Sequence, residues 1–137
     1  MKTTQALLEA YYTAFNAHDR QGMLALLTED VVHDINQAGP ELGKAAFAAF
    51  LERMDHSYRE QLVELVYLVS PDGTRAAAEF VVLGTYVRSD VGLPEARGQT
   101  YRLRGGAFFE IRAGQIARVT NYYNLQDWLS QVQGDTP

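Results

Sequence analysis

Residues 28–54 read TEDVVHDINQAGPELGKAAFAAFLERM, and the changes of character inside this stretch set the reading of the whole chain. Val31 and Val32 form a short apolar strand that runs straight into His33 and Asp34. Gly39-Pro40 then marks a turn. From Leu42–Lys44 onward the spacing is helical, with Phe47, Phe50, Leu51 and Met54 on one face. A carboxylate that comes directly off an apolar strand, with apolar elements around it in sequence, is expected to have a pKa raised toward the range useful for proton transfer. Asp34 is therefore the first candidate for chemistry. Its alternative is a strand-end residue that bonds the backbone of the next turn.

Upstream, Leu8, Tyr11, Tyr12 and Phe15 fall at helical spacing and predict a helix over residues 3–17. Asp19 predicts the N-cap of a second, short helix with Met23, Leu26 and Leu27 inward. Downstream the period changes to that of strands. Residues 58–69 are β-branched and aromatic and end at Ser70-Pro71-Asp72-Gly73, a strong turn signal. Residues 75–87 predict a long strand, apolar on both faces. Residues 99–104 predict another, closed by a bulge or bend at Gly105-Gly106. Residues 107–112 and 116–123 predict a hairpin across Ala113-Gly114. Leu125, Trp128, Leu129 and Val132 predict a closing helix, and the tail from residue 134 is expected to fray.

Helices first, antiparallel strands second and one helix last make an α+β domain spanning residues 1–137, with helices on one face of a curved sheet. Strands apolar on both faces predict that the outer sheet face is covered too, most simply by a second copy in a homodimer.

Composition narrows the function. The chain has 137 residues, 47% of them hydrophobic and 21% charged, which is an ordinary globular balance. There is no cysteine, so disulfides, thiolate metal sites and a cysteine nucleophile are excluded. That fits a cytoplasmic protein. The net charge of −5, with no basic run, argues against nucleic acid and against an anionic membrane surface. The amino-terminal stretch has no uninterrupted apolar core of a leader peptide, and no apolar run is long enough to span a membrane. His18, His33 and His56 lack ligand spacing, so no metal is expected. No phosphate-cradling glycine loop and no serine elbow is present.

The run AYYTAFNAHDRQGMLALLTEDVVHD (residues 10–34), the following AAFAAFL helix and the end GGAFFEIRAGQIARVTNYYNLQDWL resemble the ketosteroid isomerases and the SnoaL-like polyketide cyclases. The resemblance covers nearly the whole chain. A closer likeness, through VVHDIN, RAAAEFVVLGTY, GLPEARGQTYRLRGGAFFEI and RVTNYYNLQDW, is to proteins called ketosteroid isomerase-related. It implies the cone-shaped fold of the nuclear-transport-factor-2-like superfamily. It also implies a scheme with an aspartate base and an oxyanion hole made by a tyrosine and a protonated aspartate. By that resemblance the base falls on Asp34 and the tyrosine on Tyr11. The protonated aspartate falls on Ala107, which cannot donate. Losing one such donor typically costs about two to three orders of magnitude in rate. On this pattern Asn121 or Tyr123, on the face of the last strand aimed at the cavity, would substitute. Asn124 stands where cyclase-like relatives carry an acid and reads as a helix N-cap.

The remaining candidates line an expected apolar pocket: His33, Phe47, Phe50, Phe80, Val82, Phe109 and Val119, with Asn121 and Tyr123. His33 alternates with Asp34 and should face the other way. Glu79 is expected in an ion pair with Arg104 or Arg118. The expected activity is cofactor-free acid–base proton transfer on a small apolar carbonyl compound, steroid-, polyketide- or terpene-like. The alternative is a non-catalytic dimeric module that binds a small ligand or serves assembly on the same fold.

Overall fold

The computed structural model describes residues 3–35 and 38–133. The expected frayed tail lies outside the described residues. Helix α1 (Thr4–Asn16) starts where the Thr3 side chain accepts from the Ala6 backbone N–H. Helix α2 (Arg20–Leu24) starts where Asp19 accepts from Gly22. Helix α3 (Lys44–Ser57) follows, and α4 (Leu125–Val132) is capped by Asn124, which accepts from Asp127. Each polar cap satisfies a backbone donor that the helix itself leaves unpaired.

The strands are β1 (Leu27–Asp34), β2 (Pro40–Leu42), β3 (Tyr58–Val69), β4 (Arg75–Tyr86), β5 (Gln99–Arg112) and β6 (Gln115–Tyr123). They form one open sheet in the order β2-β1-β6-β5-β4-β3, antiparallel except for the parallel β1–β6 pair. The fold is the α+β arrangement expected, with the first helices over a mostly antiparallel sheet.

Three details differ from the sequence reading. Helix α2 stops at Leu24, and Leu27 is already strand, where it pairs with Ile116. Pro40 does not only turn the chain; it opens the short edge strand β2 against β1, a position where the missing N–H costs nothing. Gly105-Gly106 does not bend β5 apart: its pairings to β4 and β6 run through both residues without a shift. The glycines answer crowding instead, since a Cβ on Gly105 would lie 3.0 Å from Phe80 Cε1.

Pairing decides which side chains share a face. His33, Val119, Phe109 and Ala76 lie in one row, and Asn121, Ala107 and Ala78 in the next; Tyr123, Gly105 and Phe80 follow. This is the inner face, which meets α1 and α3 and carries the core of Leu8, Tyr12, Phe47, Phe80, Phe109 and Val119. Asp34, Thr120, Phe108 and Ala77 fall on the opposite, outer face.

Two side-chain amides close open strand edges. Asn16 donates to the Leu62 carbonyl and accepts from the Leu62 N–H on edge strand β3. Beyond Gly105, where β6 has ended, Gln131 of α4 does the same for Arg102 on β5. Each amide makes the two bonds a neighbouring strand would have made. Together they anchor α1 and α4 at the sheet margin.

Candidate functional site

Asp34 is not where the sequence reading put it. Its carboxylate lies on the outer face, held by Arg118 Nε at 2.7 Å and Nη2 at 3.0 Å, with the Thr120 hydroxyl donating at 2.5 Å. The Arg118 guanidinium, the principal cause, and Thr120 hold its pKa below the usual carboxylate range, although partial burial works the other way. A base poised for proton transfer needs the opposite shift. The parity of β1 explains the error. Val31 and His33 point inward, so Asp34, one residue on, points out. Asp34→Asn is expected to lower stability only slightly, because the pair is partly solvated. Since the folded pKa is depressed, its contribution is present above the unfolded pKa and is lost as pH falls through the folded value. Thermal unfolding of parent and variant between neutral and acidic pH checks this.

The inner face does gather most of the other candidates. His33 is 2% exposed, its ring 4.5 Å from the rings of both Phe47 and Phe50. Burial among these rings pushes its pKa down, so it is neutral at ordinary pH. Asn121 Nδ2 lies 3.4 Å from His33 Nε2. Asn121 pairs directly with Ala107, so its amide stands beside the position where the resemblance lacks a donor. Phe80, Val82, Phe109 and Val119 are buried with Phe47 in the packed core. Within this set Phe50, Asn121 and Tyr123 are the ones within reach of solvent, Tyr123 at 39% exposure. The accessible part of the site is therefore the margin between α3 and the end of β6.

Tyr11 packs edge-on to Tyr12 and Phe109. Burial raises its pKa and the Arg20 charge offsets a little of this, so the phenol stays protonated and able to donate.

The sequence reading passed over Glu60. Tyr58, Glu60 and Leu62 of β3 pair with Tyr86, Gly84 and Val82 of β4, which puts all of them on the inner face. Glu60 Oε2 accepts from the Tyr101 hydroxyl at 2.5 Å. Burial raises the Glu60 pKa above the ordinary 4.5, while the Tyr101 hydrogen bond and the Arg20 charge pull it back in part. Arg20 is itself fixed, donating twice to the Asp55 carboxylate and stacking over Phe15. Tyr123 feels the Glu60 and Asp90 charges, and Tyr58 donates to Asp90 at 2.8 Å. The missed signal was parity. In YREQL the glutamate shares its face with Tyr58 and Leu62, both inward residues.

Glu79 pairs with Arg104 at 3.5 Å on the exposed outer face, as the sequence predicted. Among the described residues no cluster of His, Cys, Asp and Glu has the arrangement to hold a metal ion, and no helix is long and apolar enough to cross a membrane.

Helices that cover one face of a mostly antiparallel sheet, with a part-buried carboxyl and several tyrosines on that face, place the chain in the α+β class. The chain belongs to the SnoaL-like family, whose domain model matches residues 8–119. It is 58% identical to a protein of Pseudomonas putida KT2440 named as a candidate polyketide cyclase, with a TM-score of 0.95 over 96% of this chain and 99% of that one. A second candidate polyketide cyclase, from Xanthomonas campestris pv. campestris, is also 58% identical, with a TM-score of 0.91 over 93% and 95% of the two chains. A protein of Burkholderia xenovorans LB400 described as NTF2-like shares the fold at 18% identity, with a TM-score of 0.76 over 98% of this chain and 99% of that one. No curated protein matches the sequence.

Proposed function

We propose that the protein catalyses proton transfer next to the carbonyl of a small, largely apolar compound, as an isomerase or cyclase, with Glu60 as the proton acceptor. The observation that carries this reading is the Glu60 carboxyl on the inner face, part-buried and held by the Tyr101 hydroxyl. Burial favours its neutral form, so its carboxylate is a stronger base than an exposed one. Tyr101 fixes one oxygen and leaves the other for the substrate. Abstraction of the α-proton puts negative charge on the substrate oxygen. The Tyr123 hydroxyl, on the same face and near enough to feel the Glu60 charge, is the donor offered to that oxygen. Tyr11 adds a permanently protonated phenol deeper in the site. Phe50, at the margin, supplies an apolar wall suited to a ring compound. The polyketide cyclase names of the most similar structures suit a substrate of this kind.

The test is deuterium exchange from the α-carbon of a panel of cyclic ketones, read by NMR, for the parent and Glu60→Gln. Loss of exchange in the variant supports the reading. Ketones that bind but exchange equally in both proteins support the non-catalytic binding module instead.

The same proposal includes a homodimer through the outer sheet face. Phe108 and Tyr122 are 58% and 55% exposed there, and their rings meet edge-to-face at 5.7 Å. Val66, Leu68 and Leu83 extend the apolar area on neighbouring strands. An exposed apolar surface flanked by ion pairs is typical of a face that meets another protein. Phe108→Arg is expected to convert a dimer to a monomer in analytical ultracentrifugation while the fold persists. A parent that sediments as a monomer at all concentrations removes the dimer.

A further inference from the structure

Two buried polar atoms under α3 are left without partners: Nδ1 of His33 and Oε1 of Glu41. They belong to directly paired residues, His33 on β1 and Glu41 on β2. A buried donor or acceptor with no partner is strongly disfavoured, and two adjacent ones of complementary character are most simply satisfied together. A neutral imidazole carries one N–H and one lone pair. If the proton is on Nδ1, it donates toward Glu41, directly or through one water. Nε2 then holds the lone pair, and the atom facing it is the Asn121 amide nitrogen, a donor. The opposite tautomer would set an N–H against an N–H on that side and leave a bare lone pair beside a carboxylate on the other.

We propose that Glu41, His33 and Asn121 form a hydrogen-bond relay that fixes the Asn121 amide as a binding site for a neutral oxygen, a hydroxyl or ketone carbonyl, of the ligand that enters the inner face. Glu41 and His33 are positioning residues, and Asn121 makes the contact. One amide hydrogen is committed to His33, so the second hydrogen and the Oδ1 acceptor are presented in a fixed sense at the partly exposed margin. The groups facing His33 are the Phe47 and Phe50 rings of α3, Glu41 of β2 and Asn121 of β6. The charges that act on it are those of Glu41, Asp34 and Arg53. Arg53 also reaches Glu41 at 3.5 Å and stacks over Phe50, which anchors the far end of the relay. The Asn121 amide is uncharged and the His33 ring beside it is kept neutral by burial, so the site favours a neutral oxygen over a carboxylate.

This goes beyond the Glu60 reading and does not depend on it. The first measurement is the tautomer of His33 by nitrogen-15 NMR of the full chain. The expected result is a protonated Nδ1 and a bare Nε2; a protonated Nε2 overturns the relay. Glu41→Gln is expected to weaken that preference and alter the His33 ring shifts, and unaltered shifts overturn the role of Glu41. The second measurement compares 2-naphthol with naphthalene as probes, followed through the Asn121 side-chain signals. Asn121→Leu is expected to weaken 2-naphthol by about tenfold, the scale of one hydrogen bond, and to leave naphthalene unchanged. Equal loss for both probes, or for neither, overturns the oxygen site. Glu60→Gln is expected to leave the His33 signals in place, so a failure of the catalytic reading is separable from a failure of this one.

Discussion

Glu60→Gln is expected to reduce α-proton exchange by about two to four orders of magnitude, the usual contribution of a positioned general base. The substitution is nearly isosteric, and glutamine can still accept from the Tyr101 hydroxyl through its carbonyl oxygen. Packing should therefore survive, and circular dichroism with thermal unfolding will show whether it does. The pH profile gives an independent reading. A base must be ionised, so exchange falls as pH drops through the Glu60 pKa. Burial is the largest influence on that pKa and pushes it up, so the acidic limb of kcat/KM should lie above the ordinary 4.5. The Tyr101 hydroxyl stabilises the carboxylate. Tyr101→Phe removes that donor and is expected to move the limb further toward alkaline pH. A limb that moves to lower pH would show that Tyr101 acts on something other than Glu60.

The same shift has a consequence for stability. The folded pKa of Glu60 lies above its unfolded value, so its contribution is complete below the unfolded pKa and is lost as pH rises through the folded one. Glu60→Gln removes this dependence, and its stability should vary less with pH between the unfolded and the folded pKa. Asp34 has the reverse sign, because Arg118 lowers its pKa. The two carboxyls thus separate by the direction of their pH response as well as by the face they occupy.

The elements were legible in the sequence because their causes are local. Apolar spacing gave α1, α3 and α4, and the Ser70–Gly73 turn was marked by Asp72, whose carboxylate accepts from Ser70 and from Thr74. The Asn124 cap was read correctly for the same reason. Facing was harder. His33 and Asp34 are neighbours, and a period of two means that one residue of error exchanges inside for outside. Nothing local says which of the two the sheet will bury. That depends on the parallel pairing of β1 with β6, which sets His33 against Val119 and Asp34 against Thr120. Glu60 was passed over because a glutamate between Arg59 and Gln61 reads as a wet strand edge. Its burial comes from Tyr101, distant in sequence, laid across the sheet from β5.

Gly84→Ala is expected to be the most damaging small substitution in the chain. Gly84 sits between Glu60 and Tyr101 in the same cross-strand row. A Cβ there would lie 2.2 Å from Tyr101 Cζ and 2.5 Å from its hydroxyl oxygen. The backbone angle at Gly84 is one that other residues adopt, so the need for glycine is spatial: the tyrosine ring lies where the side chain would be. The ring cannot easily give way. Tyr101 is 4% exposed and meets the Trp128 ring edge-on at 5.9 Å, and Trp128 is itself pressed against Tyr86 at 5.2 Å. One added methyl must therefore move the ring off Glu60 or lift α4 from the sheet. Overpacking of this kind costs about 1–3 kcal/mol, which for a chain of this size lowers Tm by roughly 3–10 °C. Gly105→Ala provides the comparison, because its Cβ would meet Phe80 at 3.0 Å and needs a smaller adjustment. The decisive reading is again the acidic limb. If Gly84→Ala destabilises the protein and also moves the limb toward that of Tyr101→Phe, the glycine is there to let the tyrosine reach the carboxyl. If it destabilises while the limb stays where the parent has it, Tyr101 has kept its bond to Glu60, and the bare backbone at residue 84 serves packing against α4 alone.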